Sequence, residues 1–237
     1  MQVVPSSIAD LDLIGPHAAG FREALELLLG RAPDGVIEPA LSFSTIVRNR
    51  RSRAVALLGV RFDMTGPQAK SYSVVHYADT LRYPERAGVP PGAMRFVCAE
   101  PLYTDLVLRR AREIDRRGPM NLDNLRRARE IHASLDCAAF DDGQFAGPDS
   151  LGAFERLEIE REAEIAFLEE VLKPGSAVAT ILREAIEVPV AHVQDRALLA
   201  RRVLAKRLSE AFATGGLDEA AARARNHRLR IKLRRGA

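Results

Sequence analysis

The chain of 237 residues has no tryptophan, four lysines (at 70, 173, 206 and 232) and two cysteines. The lysine scarcity reflects codon usage as readily as guanidinium chemistry, so no function is read from it. Cys98 and Cys137 sit in apolar, strand-like contexts, Arg95-Phe96-Val97-Cys98 and Leu135-Asp136-Cys137-Ala138. They read as free buried thiols that pack as small hydrophobes, with a bridge between sheets as the alternative for an exported protein. Two are too few for a cysteine-rich zinc site unless histidines complete it. The histidines, at 17, 76, 132, 192 and 227, are scattered, with none four residues from another. No metal or cofactor is therefore expected. There is no Gly-x-Gly-x-x-Gly after a strand and no Gly-Lys-Ser/Thr, which excludes both common phosphate cradles. Apolar runs such as Ala54–Val60 fall far short of the roughly 20 residues that cross a bilayer, so no membrane span is expected. The start, Met1–Gly15, lacks a basic n-region and is interrupted by Asp10 and Asp12, which points to cytoplasmic residence.

What is present suffices for a core. Apolar residues make up 47% of the chain and charged residues 28%, the balance of a folded protein with a wet surface. The length allows one large domain or two smaller ones. Helical spacing of Phe21, Ala24, Leu25, Leu28 and Leu29 predicts a helix ended by Gly30, with a turn at Pro33-Asp34-Gly35. The period then changes. Ala40–Val47, Ala54–Met64, Ser71–Tyr77, Met94–Cys98 and Leu135–Phe140 read as strands, alternation being clearest from Leu58 to Met64. Arg48–Arg53 reads as a polar connection built around Asn49 and Ser52. The Pro/Gly-rich stretch 78–92 reads as a crossing loop. Residues 102–131, with Asn121 as a cap, suit helix better than core strand. Asp141-Asp142-Gly143 is the best hairpin signal.

After residue 150 the pattern turns helical. With Ser150 as N-cap, Leu151, Phe154, Leu157, Ile159, Ile165, Leu168, Val171 and Leu172 form an apolar stripe. Glutamates from Glu155 to Glu170 are expected on a solvated face, paired with Arg156 and Arg161. They lack the Glu-x-x-His of a bundle metal site. Further helices are expected over Ala177–Ile186, from about Val190 to Phe212, and from Asp218 to about Leu233.

Three features resemble immunoglobulin-like and fibronectin-III-like sandwiches over roughly residues 36–149. They are Thr45-Ile46-Val47-Arg48-Asn49-Arg50-Arg51-Ser52 leading into an alternating strand, the Val89-Pro90-Pro91-Gly92 lead-in, and the Phe140-Asp141-Asp142-Gly143 hairpin. The resemblance implies a fold and carries no function with it. The expected class is α+β. Residues 1–150 would form an antiparallel β-sandwich with a short N-terminal helix, and residues 151–237 a helical region with a basic tail.

Charge is the strongest functional signal. Residues 196–237 hold twelve Lys/Arg against three Asp/Glu, a balance of +9, so the other 195 residues carry −6 within the net +3. Arg223, Arg225, Arg228, Arg230, Lys232, Arg234 and Arg235 fall within 13 residues without an acid. They are the candidate anion-binding set. No aromatic is interleaved, so nucleic acid or an anionic membrane surface would be held by charge rather than stacking. The tail could instead be solvated or docked on its own protein. Acidic Asp141-Asp142 with Asp149 nearby lacks the ligand spacing of a calcium loop and reads as a turn. His76, Tyr77 and Asp79 have no marked nucleophile beside them, so catalysis is the least favoured reading. The expected function is a non-catalytic binding or assembly module. Its helices would mediate self-association or contact with a protein partner, with electrostatic binding through the tail as the alternative.

Overall fold

Alternation builds the longest ladder. Val55–Thr65 (β4) lies between Ser71–Asp79 (β5) and Glu130–Phe140 (β7), antiparallel to both. The computed structural model describes residues 1–81, 88–108, 122–189, 195–225 and 232–235. It is a mixed α+β structure, and the chain divides into two compact units. Unit 1 comprises residues 1–151 and 234–237, and unit 2 comprises residues 152–233. No helix among the described residues is long and apolar enough to cross a membrane.

The described residues of unit 1 form two sheets. The larger runs β5-β4-β7-β8-β9, where β8 is Gln144–Ala146 and β9 is Arg234–Arg235, and a short β1 (Gln2–Val3) pairs parallel to β7. The smaller runs Leu11–Ile14 (β2), Ser44–Asn49 (β3) and Met94–Cys98 (β6), all antiparallel. Both sheets feed one core. Ile46 and Phe96 come from the smaller sheet, Val60, Phe62 and Leu135 from the larger, and Phe21 and Leu25 from the helix Phe21–Leu29 (α1). Each such side chain, once fully buried, contributes about 1.5–3 kcal/mol.

Several expectations shift. Residues 40–43 are not strand but part of a 3-10 turn, Glu38–Phe43, whose carbonyl at Ala40 accepts the Ser44 hydroxyl at 2.7 Å. Local hydroxyl-to-backbone bonding there competes with ladder formation. Among the described residues, the helical stretch at 102–131 is helix over Pro101–Leu108 (α2) and the short Asp123–Arg127 (α3). Residues 109–121, including the Asn121 cap, lie outside the described residues, as do 82–87 of the crossing loop. Ile131 belongs to β7, where it pairs with Met64. The hairpin forms as read, with Gly143 at φ 85°.

The described residues of unit 2 form three helices: Ala153–Leu172 (α4), Val178–Glu187 (α5) and Arg196–Arg225 (α6), the last broken at Gly215-Gly216. Phe167, Leu168, Val171, Leu182, Leu204 and Leu208 form their core. The cap of α4 is Gly152 at φ 64°, not Ser150. The glutamate face is not uniformly solvated. Arg161 pairs with Glu158 at 3.1 Å, but Glu160 and Glu164 are buried and neither lacks a partner. Ile159 of the expected stripe is exposed instead. The start of the third helix, residues 190–194, and residues 226–231 of the last lie outside the described residues. Of the segment expected to be helical to Leu233, residues through Arg225 are helix, Lys232 and Leu233 are not, and Arg234–Arg235 forms β9.

One buried polar group organises the rim of unit 1. Asn49, fully buried at the end of β3, donates from Nδ2 to the carbonyls of Arg53 (2.8 Å), Val89 (2.8 Å) and Pro90 (3.1 Å). Its Oδ1 accepts the Arg51 N–H at 3.0 Å. Substituting Asn49→Ala takes the side-chain partner from the Arg53 carbonyl and the Arg51 N–H, while the Val89 and Pro90 carbonyls keep the N–H groups of Val55 and Ala93, and it should cost about 3 kcal/mol. A urea titration should show a lowered midpoint with little change in slope.

His76 on β5 contacts Phe62 edge-on, with ring centroids 5.3 Å apart, and its Nε2 is buried without a hydrogen bond among the described residues. Burial pushes its pKa below the ordinary 6.5. The unfolded chain then binds the proton more readily, so this contribution to stability is present above the ordinary value and lost as pH falls toward the folded one. Urea midpoints measured between pH 7.5 and 5.5 should fall less for His76→Gln than for the unsubstituted chain.

Candidate anion-binding site

The sequence Arg48-Asn49-Arg50-Arg51-Ser52-Arg53 carries four arginines in six positions. It leaves β3 and turns into β4. The Asn49 amide closes this turn from within, which sets its guanidinium groups on one rim. Arg51 is the most constrained. It donates to the Ala9 carbonyl and to Gln144 Oε1, each at 3.0 Å, and its guanidinium lies 4.2 Å over the Phe140 ring. Arg50 pairs with Asp12 at 3.0 Å, and Arg53 pairs with Asp142.

Between these side chains lies a concavity of about 330 Å³, lined by Asp10, Arg50, Arg51, Ser52, Arg53 and Gln144. An adjoining open depression of about 590 Å³ shares Asp10 and Arg50 and adds Arg48 and Asp12. The smaller concavity holds three guanidiniums against one carboxylate. The side chains of Arg50 and Arg53 are 62% and 52% exposed. Ion pairs at such exposure contribute about 0–1 kcal/mol, so an incoming anion can displace Asp12 or Asp142 at little cost.

The C-terminus reaches the same rim by strand pairing. Arg234 lies opposite Gln144 and Arg235 opposite Phe145, parallel to β8, and the Arg234 N–H donates to the Gly143 carbonyl at 2.8 Å. Arg234 Nη2 donates to the Asp142 carbonyl at 3.3 Å. Arg53 and Arg234 thus meet the same hairpin residue. Arg235 lies 3.5 Å from Asp149.

The seven basic residues singled out in the sequence are divided between the two units, and two of them lie outside the described residues. Arg223, in α6 of unit 2, pairs with Glu219 at 3.2 Å. Arg225 ends that helix, exposed, and Lys232 is exposed. Arg228 and Arg230 lie outside the described residues. Arg234 and Arg235 join unit 1. The acidic hairpin serves the turn. Asp142 Oδ1 accepts the Gln144 N–H at 3.1 Å while its carboxylate also faces Arg53. His76 and Tyr77 pair with Val60 and Gly59 respectively, on opposite faces of the sheet, so they do not converge with Asp79 on one center.

The arginines at 48, 50, 51 and 53 were not among the candidates read from the sequence, because the segment reads as an ordinary polar connection. Their density was the available signal. Both cysteines are free and buried. No protein-family model, curated protein or solved structure matches this chain.

Proposed function

We propose that the chain is a cytoplasmic, non-catalytic binding protein that takes a nucleic-acid backbone on the arginine rim of unit 1. The observation that carries this reading is the parallel pairing of β9 with β8. It brings Arg234 and Arg235, from the basic end of the sequence, to the hairpin that Arg53 also meets. Guanidinium forks suit phosphate oxygens, and exposed pairs exchange partners readily. Phe140 is covered by Arg51, so it offers no open face for a base, and binding would follow charge rather than sequence. The scaffold is taken as a sandwich of immunoglobulin or fibronectin-III style. Support comes from the core that the two sheets share.

Fluorescence anisotropy with a labelled duplex tests the reading. Affinity should fall by about a hundredfold between 50 and 200 mM salt, as expected for about four phosphate contacts. The double substitution Arg50→Ala with Arg53→Ala should halve the slope, leaving a fall of about tenfold over the same range. Binding that ignores salt, or that appears only with anionic vesicles, rejects it.

Self-association is the second reading, favored by the β5 edge rather than by the helices. Among the described residues this nine-residue strand pairs on one side only, contains neither Pro nor Lys, and exposes Tyr72 and Val74. Such an edge is a template for a second strand. Light scattering should give twice the chain mass, returning to the single mass in Val74→Lys. A monomer at every concentration rejects it.

A further inference from the structure

The β4–β7 ladder contains an irregularity with chemical content. Gly59 pairs with Cys137 and Val60 with Leu135, which leaves Asp136 without an opposite residue. On a regular strand Asp136 and Cys137 would point to opposite faces. A bulge bends the strand and re-aims a side chain. Here one ligand atom each from Asp136, Cys137 and Asp149 comes within 4.8 Å of the others.

The third residue arrives on the turn after β8. The Asp149 N–H donates to the Asp136 carbonyl at 2.9 Å, and the Ser150 N–H to Asp136 Oδ1 at 3.0 Å. Gly147 allows this close docking. It sits at φ 112°, and a Cβ there would lie 2.5 Å from the Asp136 carbonyl oxygen and 2.9 Å from the Cys137 Cα. Gly59 likewise leaves room for the thiol, since a Cβ there would lie 2.8 Å from Cys137 Sγ.

A second observation points to a ligand. Asp136 is 1% exposed, and its Oδ2 is buried with no hydrogen-bond partner among the described residues. A carboxylate oxygen stripped of water and left unpaired is costly, and the usual remedies are a proton or a cation. Cys137 is fully buried, and the Asp149 side chain is 3% exposed.

We propose that Asp136, Cys137 and Asp149 hold one divalent transition-metal ion of the zinc type. A thiolate beside two carboxylates disfavors calcium and magnesium, which take oxygen ligands, and suits Zn²⁺. Tetrahedral ligands at zinc distances stand roughly 3.5 Å apart, and the bulge and the turn hold the three ligand atoms within 4.8 Å of one another. Binding deprotonates Cys137, and its proton leaves to solvent. The thiolate and two carboxylates carry three negative charges, which the ion and the Arg235 guanidinium beside Asp149 balance. The fourth tetrahedral position is left for water or another donor.

Cobalt is the test probe, because thiolate ligation gives a near-ultraviolet charge-transfer band and tetrahedral geometry gives intense visible bands. The full chain, stripped by chelator, is titrated with Co²⁺ and then with Zn²⁺. One Co²⁺ per chain, a charge-transfer band and displacement by Zn²⁺ are expected. Cys137→Ser should lose the band and Cys98→Ser should keep it. Asp136→Asn should weaken Co²⁺ binding by more than about tenfold, the least seen even for outer partners of a metal ligand. If Cys137→Ser fails to fold, the band in Cys98→Ser assigns the thiolate to the remaining cysteine. No stoichiometric Co²⁺ uptake by the unsubstituted chain overturns the proposal. So does a band that survives in Cys137→Ser, or an affinity unchanged in Asp136→Asn.

Discussion

Unit 1 depends on a single buried amide. Asn49 sits where β3 must end, the arginine turn must begin and the Val89-Pro90 crossing must pass. Its side chain meets all three by hydrogen bonds to the carbonyls of Arg53, Val89 and Pro90, the last two of which also accept the backbone N–H groups of Val55 and Ala93. Its backbone is engaged as well, the N–H donating to the Ala93 carbonyl and the carbonyl accepting from Gly92. A buried polar group with every partner in place specifies one arrangement, because each alternative leaves something unpaired. That is why a turn with four nearby guanidiniums, whose mutual repulsion favors splaying, holds one shape.

Departures from regularity carry the chemistry elsewhere in the unit. β7 pairs along nearly its whole length with β4, yet the one residue it leaves unmatched, Asp136, is the one to which the Gly147–Ser150 turn is tied. β8 is three residues long, and it receives a two-residue strand from the far end of the chain. Short pairings of this kind contribute little by themselves. Their effect is positional, in that they bring Arg234, Arg235 and Asp149 to β7 and the hairpin.

Elements with strong local patterns were legible in the sequence. Alternation from Leu58 to Met64, the 3.6-residue spacing from Phe21 to Leu29 and the Asp-Asp-Gly turn each answer to interactions within a few residues. The misreadings share another cause. Ile131 has the spacing of a helix but finds Met64 across a ladder. Glu160 and Glu164 have the character of a wet face but are buried, because helical periodicity shows which residues share a face and not what that face meets. The Asn49 amide gave no sign, since a lone Asn in a polar stretch reads the same whether it ends a strand in the core or lies in solvent.

The sequence by itself determined the α+β class, most of the strands, the hairpin and the concentration of positive charge toward the C-terminus. These follow from short-range sterics, from period and from composition. Tertiary structure alone decided that the last arginines pair with β8 rather than continue a helix, that Arg48–Arg53 surrounds a concavity, and that Asp136, Cys137 and Asp149 face one another. Each depends on contacts between residues distant in the chain. Such contacts form where the packed whole leaves fewest polar groups unpaired, a quantity that no local stretch of sequence contains.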